Sequence, residues 1–295
     1  MKTKVINIGS INIDTVYRVD HIVNPGETVS SGKMDFFVGG KGANQSVAIA
    51  RAGVEVFHVG KVGQDGIYAK DFLSNCGVNT EFIEVDISKL PTGHAIIQLD
   101  TKAENSIILF HGCNHHLDKD NVKKAIRKMN CGDIMVLQNE VNDIPTWIEF
   151  GHEAGLRICL NPAPCELSVK NYPLHLLEWL VLNESEAYIL TGANEKNKVK
   201  DFLIKQCPNM KIILTLGSQG SCLITRNDQI VQPAEKVKVV DTVGAGDTFI
   251  GYFIAGIVDG LGEKAALARA NHAAAICVGR HGSAEAIPTI NDLTP

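Results

Sequence analysis

The feature that most constrains this chain is the alternation of short, almost wholly apolar runs with longer helical patterns. The runs are VINIG (5 to 9), VEVFHVG (54 to 60), DIMVLQ (133 to 138), RICLN (157 to 161), WLVLN (179 to 183) and KIILTLG (211 to 217). Runs that are apolar throughout belong in strands covered on both faces, and the helical stretches between them supply the crossovers that parallel strands need. The expected fold class is α/β. In such sheets ligands bind outside the carboxyl ends of the strands. Asn12, Glu140, Asn161, Asn183 and Gly217, which close or follow these runs, are therefore the first places to look for chemistry.

Two segments break the alternation. Residues 15 to 38, with TVYRVDHIV and a turn at NPGE, and residues 92 to 111, where HAIIQLD and SIILFH flank TKAEN, read as antiparallel strands and a hairpin. A small lid sheet standing off the main domain is the expectation. No Pro/Ser-rich linker separates the parts, so one domain over 1–295 is expected, with the lid strands inserted into it.

Composition excludes several function classes. With 28 basic and 33 acidic residues the net charge is −5, which argues against a general nucleic-acid binder. The longest apolar stretch, 249 to 258, is short of the ~18 residues of a membrane span. The N-terminal apolar stretch is broken by Asn7, Asn12 and Asp14, so no signal peptide is expected. Eight cysteines without a C-x-x-C pair suit buried thiols in a cytosolic protein, not zinc or redox chemistry. None of the ten histidines has a metal-binding spacing, and His115 and His116 read as surface residues. G-x-S-x-G is absent, leaving acyl transfer unsupported.

Three segments carry chemistry. In VVDTVGAGDTFIGYFIAGIV (239 to 258) a β-branched run ends in a glycine turn and a helix begins. Gly244 and Gly246 are free to adopt angles closed to other residues, and the amides of the turn with the helix N-terminus form an anion site. Asp247 then has two readings: a helix cap worth roughly 0.5–2 kcal/mol, or a base taking a proton from an alcohol during phosphoryl transfer. The segment FFVGGKGANQSVAIARAG (36 to 53) is a second glycine turn entering a helix, but it matches neither G-x-x-x-x-G-K-[ST] nor G-x-G-x-x-G. Lys41 and Asn44 are either a solvated turn or partners for a polyol. In LNESEAYIL (182 to 190), Asn183 and Glu186 fit a capping box, and also an oxygen-rich magnesium site.

Together these segments resemble the ribokinase or PfkB-type sugar kinase family, with its ribokinase branch the nearest likeness. Eight motifs occur in the family's order: GSINID (9 to 14), GGKGANQ (39 to 45), LQNE (137 to 140), NPAP (161 to 164), NESEA (183 to 187), TLGSQG (215 to 220), DTVGAGD (241 to 247) and NHAAAICVGRHGS (271 to 283). The resemblance implies a three-layer α/β/α domain with a mostly parallel central sheet and a β-sheet lid, often paired across a homodimer. It also implies ATP-dependent phosphorylation of a sugar's primary hydroxyl, with D-ribose the expected acceptor. Asn12, Asp14, Gly40, Lys41, Asn44 and Glu140 match sugar-contacting positions, and Asp247 matches the catalytic base. Asn183, the loop Thr215, Leu216, Gly217, Ser218, Gln219 and Gly220, the turn Gly244, Ala245 and Gly246, and Asn271 match positions around the nucleotide. Glu186 matches the acidic residue associated with Mg2+. Asp241, Val243, Cys277, Arg280 and Gly282 match a monovalent-cation site, usually K+, built largely from backbone carbonyls.

There are two departures. Ala286 stands where the cation site commonly has a serine, and GQDGIY (63 to 68) ends in Tyr68 where the family has glycine. Rival readings are a kinase for a nucleoside, deoxyribose, hexose or sugar phosphate, and a catalytically silent sugar-binding protein.

Overall fold

The computed structural model describes residues 2–101, 104–193 and 195–293. Among them the main sheet has nine strands, numbered in chain order. They lie in the order β13 (Gln229–Gln232), β12 (Ser221–Ile224), β11 (Lys211–Thr215), β10 (Trp179–Asn183), β9 (Arg157–Asn161), β8 (Ile134–Gln138), β1 (Val5–Ile8), β4 (Val56–Val62) and β5 (Asn79–Val85). The strands from β11 to β5 pair in parallel, and β12 and β13 add an antiparallel edge. All six runs expected as strands are present. The edge strands β5 and β13, and β12 next to β13, were not anticipated.

Successive side chains alternate between two cores, as a pleated strand requires. Ile6 and Ile8, Met135 and Leu137, Leu180 and Leu182 pack with helices α3 (Lys119–Ile126), α4 (Ile144–Glu153), α5 (Glu184–Thr191) and α6 (Lys196–Gln206). Their neighbours Val5, Ile134, Val136, Trp179 and Val181 pack with α1 (Lys41–Arg51), α2 (Ile67–Asn75), α7 (Ala245–Val258) and α8 (Gly262–Val278). The result is the three-layer α/β/α arrangement.

A second sheet contains β3 (Lys33–Gly39), β2 (Asn12–Arg18), β6 (Gly93–Leu99) and β7 (Asn105–Phe110), in that order. It is the expected lid, beginning at Asn12, earlier than the expected start at 15. Lys102 and Ala103 of the TKAEN turn lie outside the described residues. The two antiparallel pairs are joined by a parallel β2–β6 contact that hairpin signals alone do not reveal. GQDGIY roots this sheet: Thr92, one residue before β6, donates its amide at 3.0 Å and its hydroxyl at 2.7 Å to Asp65 Oδ1. A Cβ on Gly66 would sit 2.2 Å from the Thr92 hydroxyl, whereas Tyr68 is exposed, so the departure from the family falls outside this anchor.

No helix among the described residues is long and apolar enough to cross a membrane. All eight cysteines are free thiols; five are buried as expected, whereas Cys131 is exposed and Cys76 and Cys165 are only partly buried. His115 and His116 are exposed, on a 3-10 turn (Gly112–His116) instead of a loop.

Candidate active site

The glycines of GGKG bring the start of α1 against the β1–β2 connection. Gly40 has φ +91°, and a Cβ there would lie 2.9 Å from Ser10 O and Asn12 N. A Cβ on Gly39 would fall 2.0 Å from Asp14 Oδ2, and one on Gly42 2.5 Å from Ser10 N. This close approach seats Asn12, Asp14, Lys41, Asn44 and Glu140 around one cleft of about 410 Å³ at the carboxyl ends of the strands. Its other wall is the aliphatic inner face of the lid: Ala95, Ile97, Ile107 and Leu109.

Asn12, Asn44 and Glu140 are held by hydrogen bonds. Asn114 donates to Asn12 Oδ1 at 2.7 Å, so Nδ2 is the group Asn12 offers a ligand. The Glu140 carboxylate accepts the Ser10 hydroxyl and, at 3.1 Å, the Lys41 amide. Burial, reinforced by the charges of Glu140, Glu285 and Asp247, pushes the Asp14 carboxyl up to about 7. Burial would pull the Lys41 ammonium down, but Asp247, Glu140, Glu186 and Asp14 outweigh it and hold its pKa above the ordinary lysine value.

Asp247 is not a helix cap. Gly244, at φ +75°, takes the N-cap position of α7 without a side-chain bond, and the Asp247 carboxylate faces α1 instead. Asn44 Nδ2 donates to its Oδ2 and Gln45 Nε2 to its Oδ1, each at 2.9 Å. Burial raises its pKa; Lys41 and these two amides oppose that by favouring the ionised form. Gly246 departs from expectation, because it lies within α7 and not in the left-handed region. A Cβ there would meet no protein atom, so its value lies in the open space it leaves beside the cleft.

A second cavity of about 610 Å³ adjoins the first. Asn183, Thr215, Thr242 and Gly246 line both, so the junction lies at the first turn of α7, beside Asp247. Gly217, Ser218, Gly220, Ala245 and Asn271 line the second cavity. Leu216 is a buried core residue, and neither it nor Gln219 is part of that lining. Asn183 and Glu186 form the reciprocal capping box on α5, at 2.8 and 2.9 Å. Glu186 nevertheless faces the first cleft, and burial pushes its carboxyl up. The capping-box reading is borne out, and the same geometry leaves Glu186 facing the cleft.

The segments matched to a cation site do meet. Asp241 accepts the Val243 amide at 3.0 Å and the Gly282 amide at 3.4 Å, and Cys277 Sγ lies 4.0 Å from Val243 O. Arg280 does not bring its side chain: its guanidinium pairs with Asp292 at 3.1 Å. Ala286 is buried, adding only a methyl group. Among the described residues no group of three or more His, Cys, Asp or Glu side chains is placed to hold a metal ion.

Sequence reasoning missed Ser10, Gln45, Asn114, Gln138 and Ser283. All are buried polar residues whose partners lie far along the chain, as with the Ser283 hydroxyl, 3.2 Å from Asn44 Oδ1. All but Asn114 lie within the quoted motifs, where their polarity at positions that the pattern assigns to core was the further signal.

The chain matches the model of the pfkB family carbohydrate kinases over residues 2–290. It is similar to the ribokinase of Haemophilus influenzae, 32% identical over 98% of this chain and 96% of that protein. The deoxyribokinase of Salmonella typhimurium is 33% identical over 96% of this chain and 95% of that one. Among solved structures, Arabidopsis thaliana ribokinase complexed with ribose and ATP superposes with a TM-score of 0.88, at 28% identity, covering 99% of this chain and 98% of that one. The chain thus belongs to the pfkB family of carbohydrate kinases, phosphotransferases that act on an alcohol group.

Proposed function

We propose that the protein transfers the γ-phosphoryl group of MgATP to the primary hydroxyl of D-ribose. The observation that carries this is the junction of the two cavities at the first turn of α7, with the Asp247 carboxylate held there by two amides. The first cavity receives the sugar and the second the nucleotide, in one catalytic unit spanning the chain.

The chemistry of the first cavity selects among acceptors. Asp14, Glu140, Glu186 and Asp247 face it against the one ammonium of Lys41, a balance that repels a sugar phosphate. Aliphatic side chains form the lid wall, and Phe36 and Phe110 are exposed and absent from the lining, which leaves a nucleobase without a stacking surface. Asn12, Asp14, Lys41 and Asn44 suit the vicinal hydroxyls of an unphosphorylated pentose. Loss of one hydroxyl, as in deoxyribose, leaves a buried polar group unpaired at a cost of about 1–3 kcal/mol.

In the reaction Asp247 accepts the proton of the sugar's terminal hydroxyl as its oxygen attacks the phosphoryl group. Helix α7 leaves its first N–H groups without intrahelical partners, and those beside Gly246 stabilise charge on the transferring group. Positioning across the junction supplies much of the remainder. Glu186, which keeps Oε1 outside the capping box, would hold Mg2+ through its waters; the ion, when bound, neutralises phosphate charge. Asp241 with the carbonyls of Val243, Cys277, Arg280 and Gly282 would hold K+, and Asp241's two oxygens already tie both segments together.

The lid supports a homodimer. Met34, Phe36, Ile96, Ile108 and Phe110 leave its outer face apolar and exposed, at 46%, 59%, 38%, 62% and 45%. A second copy's lid is the occupant that matches such a face. The test of the activity is ATP consumption with ribose, deoxyribose, fructose, inosine and ribose 5-phosphate. Ribose is expected to give the highest kcat/KM; ATP consumption with none of them sinks the reading and favours a silent binding protein.

A further inference from the structure

The Asp247 carboxylate has two amide donors of different standing. Asn44 lines the cleft and shares its side chain with any ligand there, whereas Gln45 is fully buried and does not line it. Behind Gln45 runs a chain of buried amides. Gln138 Nε2 donates to Gln45 Oε1 at 2.7 Å and to Asn7 Oδ1 at 3.0 Å, and Asn7 Nδ2 donates to Gly42 O at 2.9 Å.

The directions of these bonds are forced. Gly42 O and the ionised Asp247 carboxylate only accept, so Asn7 and Gln45 must turn their NH2 groups outward and their oxygens toward Gln138. Gln138 then has one possible orientation, with both Nε2 hydrogens engaged. Its Oε1 is left buried without a partner. Gly9 makes room for that oxygen, because a Cβ there would lie 2.2 Å from it. An unsatisfied buried carbonyl costs stability, and such groups in native proteins call for a reason.

We infer that Gln45 is a positioning residue for the base, locked in orientation by Gln138, and that this buried amide chain holds Asp247 Oδ1 in place whether or not a sugar occupies the cleft. The inference rests on Asp247 being the base. Gln138 neither bonds to the base nor lines the cleft, yet it fixes which end of Gln45 the carboxylate meets.

The test uses Gln45→Met and Gln138→Met, each shown to unfold cooperatively, alone and combined with Asp247→Asn. Loss of a hydrogen bond to a charged group corresponds to about a 10- to 100-fold fall in kcat for Gln45→Met. Gln138→Met is expected to lower kcat by about 3- to 10-fold, since the bond to the base survives without its support. The sugar KM should stay within about twofold in both, and neither change should cost more than about twofold in residual turnover once Asp247 is Asn. Unchanged kcat in the single variants, a loss confined to KM, or the same penalty in the Asp247→Asn background would each overturn the inference. Should Gln45→Met fail to fold, the Gln138→Met arm decides by the same readouts. Wild-type turnover in Asp247→Asn alone would instead refute the reading of the base, a separate failure.

Discussion

Asp14→Asn should stabilise the empty protein while weakening its hold on sugar, and the stabilisation should depend on pH. The folded-state carboxyl ionises at about 7 against an ordinary 3.8, because burial and then the charges of Glu140, Glu285 and Asp247 oppose the anion. Between these values the folded chain keeps a proton that the unfolded chain has released. Stability from this group therefore falls as pH rises from about 4 to 7 and stays flat above. At 1.36 kcal/mol per pH unit the full penalty is about 4 kcal/mol, of which about 3 kcal/mol builds up between pH 5 and pH 7. Asparagine does not titrate, so the stability gap between variant and wild type should widen by about 3 kcal/mol between pH 5 and pH 8. For 295 residues that corresponds to about 5 °C in Tm. Thermal unfolding of both proteins at the two pH values measures the gap, and calorimetric titration with ribose at pH 8 measures the accompanying loss of affinity. Curves that stay parallel from pH 5 to pH 8 would refute the buried-anion argument, whatever the absolute stabilities.

Four further outcomes are expected. Asp247→Asn should lower kcat by about 10²- to 10⁴-fold with ribose affinity preserved, checked by coupled ATP turnover and calorimetry; equal losses in affinity would point to a binding role alone. Gly39→Ala places a Cβ 2.0 Å from Asp14 Oδ2 and should raise the sugar KM about tenfold or more by displacing that carboxylate, with ATP KM unchanged. Ile108→Glu puts a charge on the exposed face of the lid, and sedimentation should then show monomers, against the dimer expected of the wild type. Exchanging K+ for tetramethylammonium, too large for a carbonyl cage, should lower kcat; identical kinetics would remove the ion from the mechanism.

Much of the fold could be read from local pattern. Runs such as Ile134–Gln138 and Trp179–Asn183 announce buried parallel strands because they are apolar on both faces, and the Asn183–Glu186 capping box is defined within four residues. The edges could not be read this way. Asn79–Val85 and Gln229–Gln232 are polar and partly exposed, so they lack the signal that burial on two faces writes into a strand. The lid's antiparallel strands and hairpin were legible, but not the parallel union through β2 and β6.

The sequence by itself determined the α/β class, the two glycine turns and the residue types at the strand ends, since each depends on backbone preference and periodicity over a few residues. That Asp247 faces α1 instead of capping α7 was decided only by tertiary structure. Its partners Asn44 and Gln45 lie 203 and 202 positions away, and Glu140 meets Ser10 across 130. Such contacts arise where packed layers converge, and no local propensity encodes which distant side chain will satisfy a buried carboxylate.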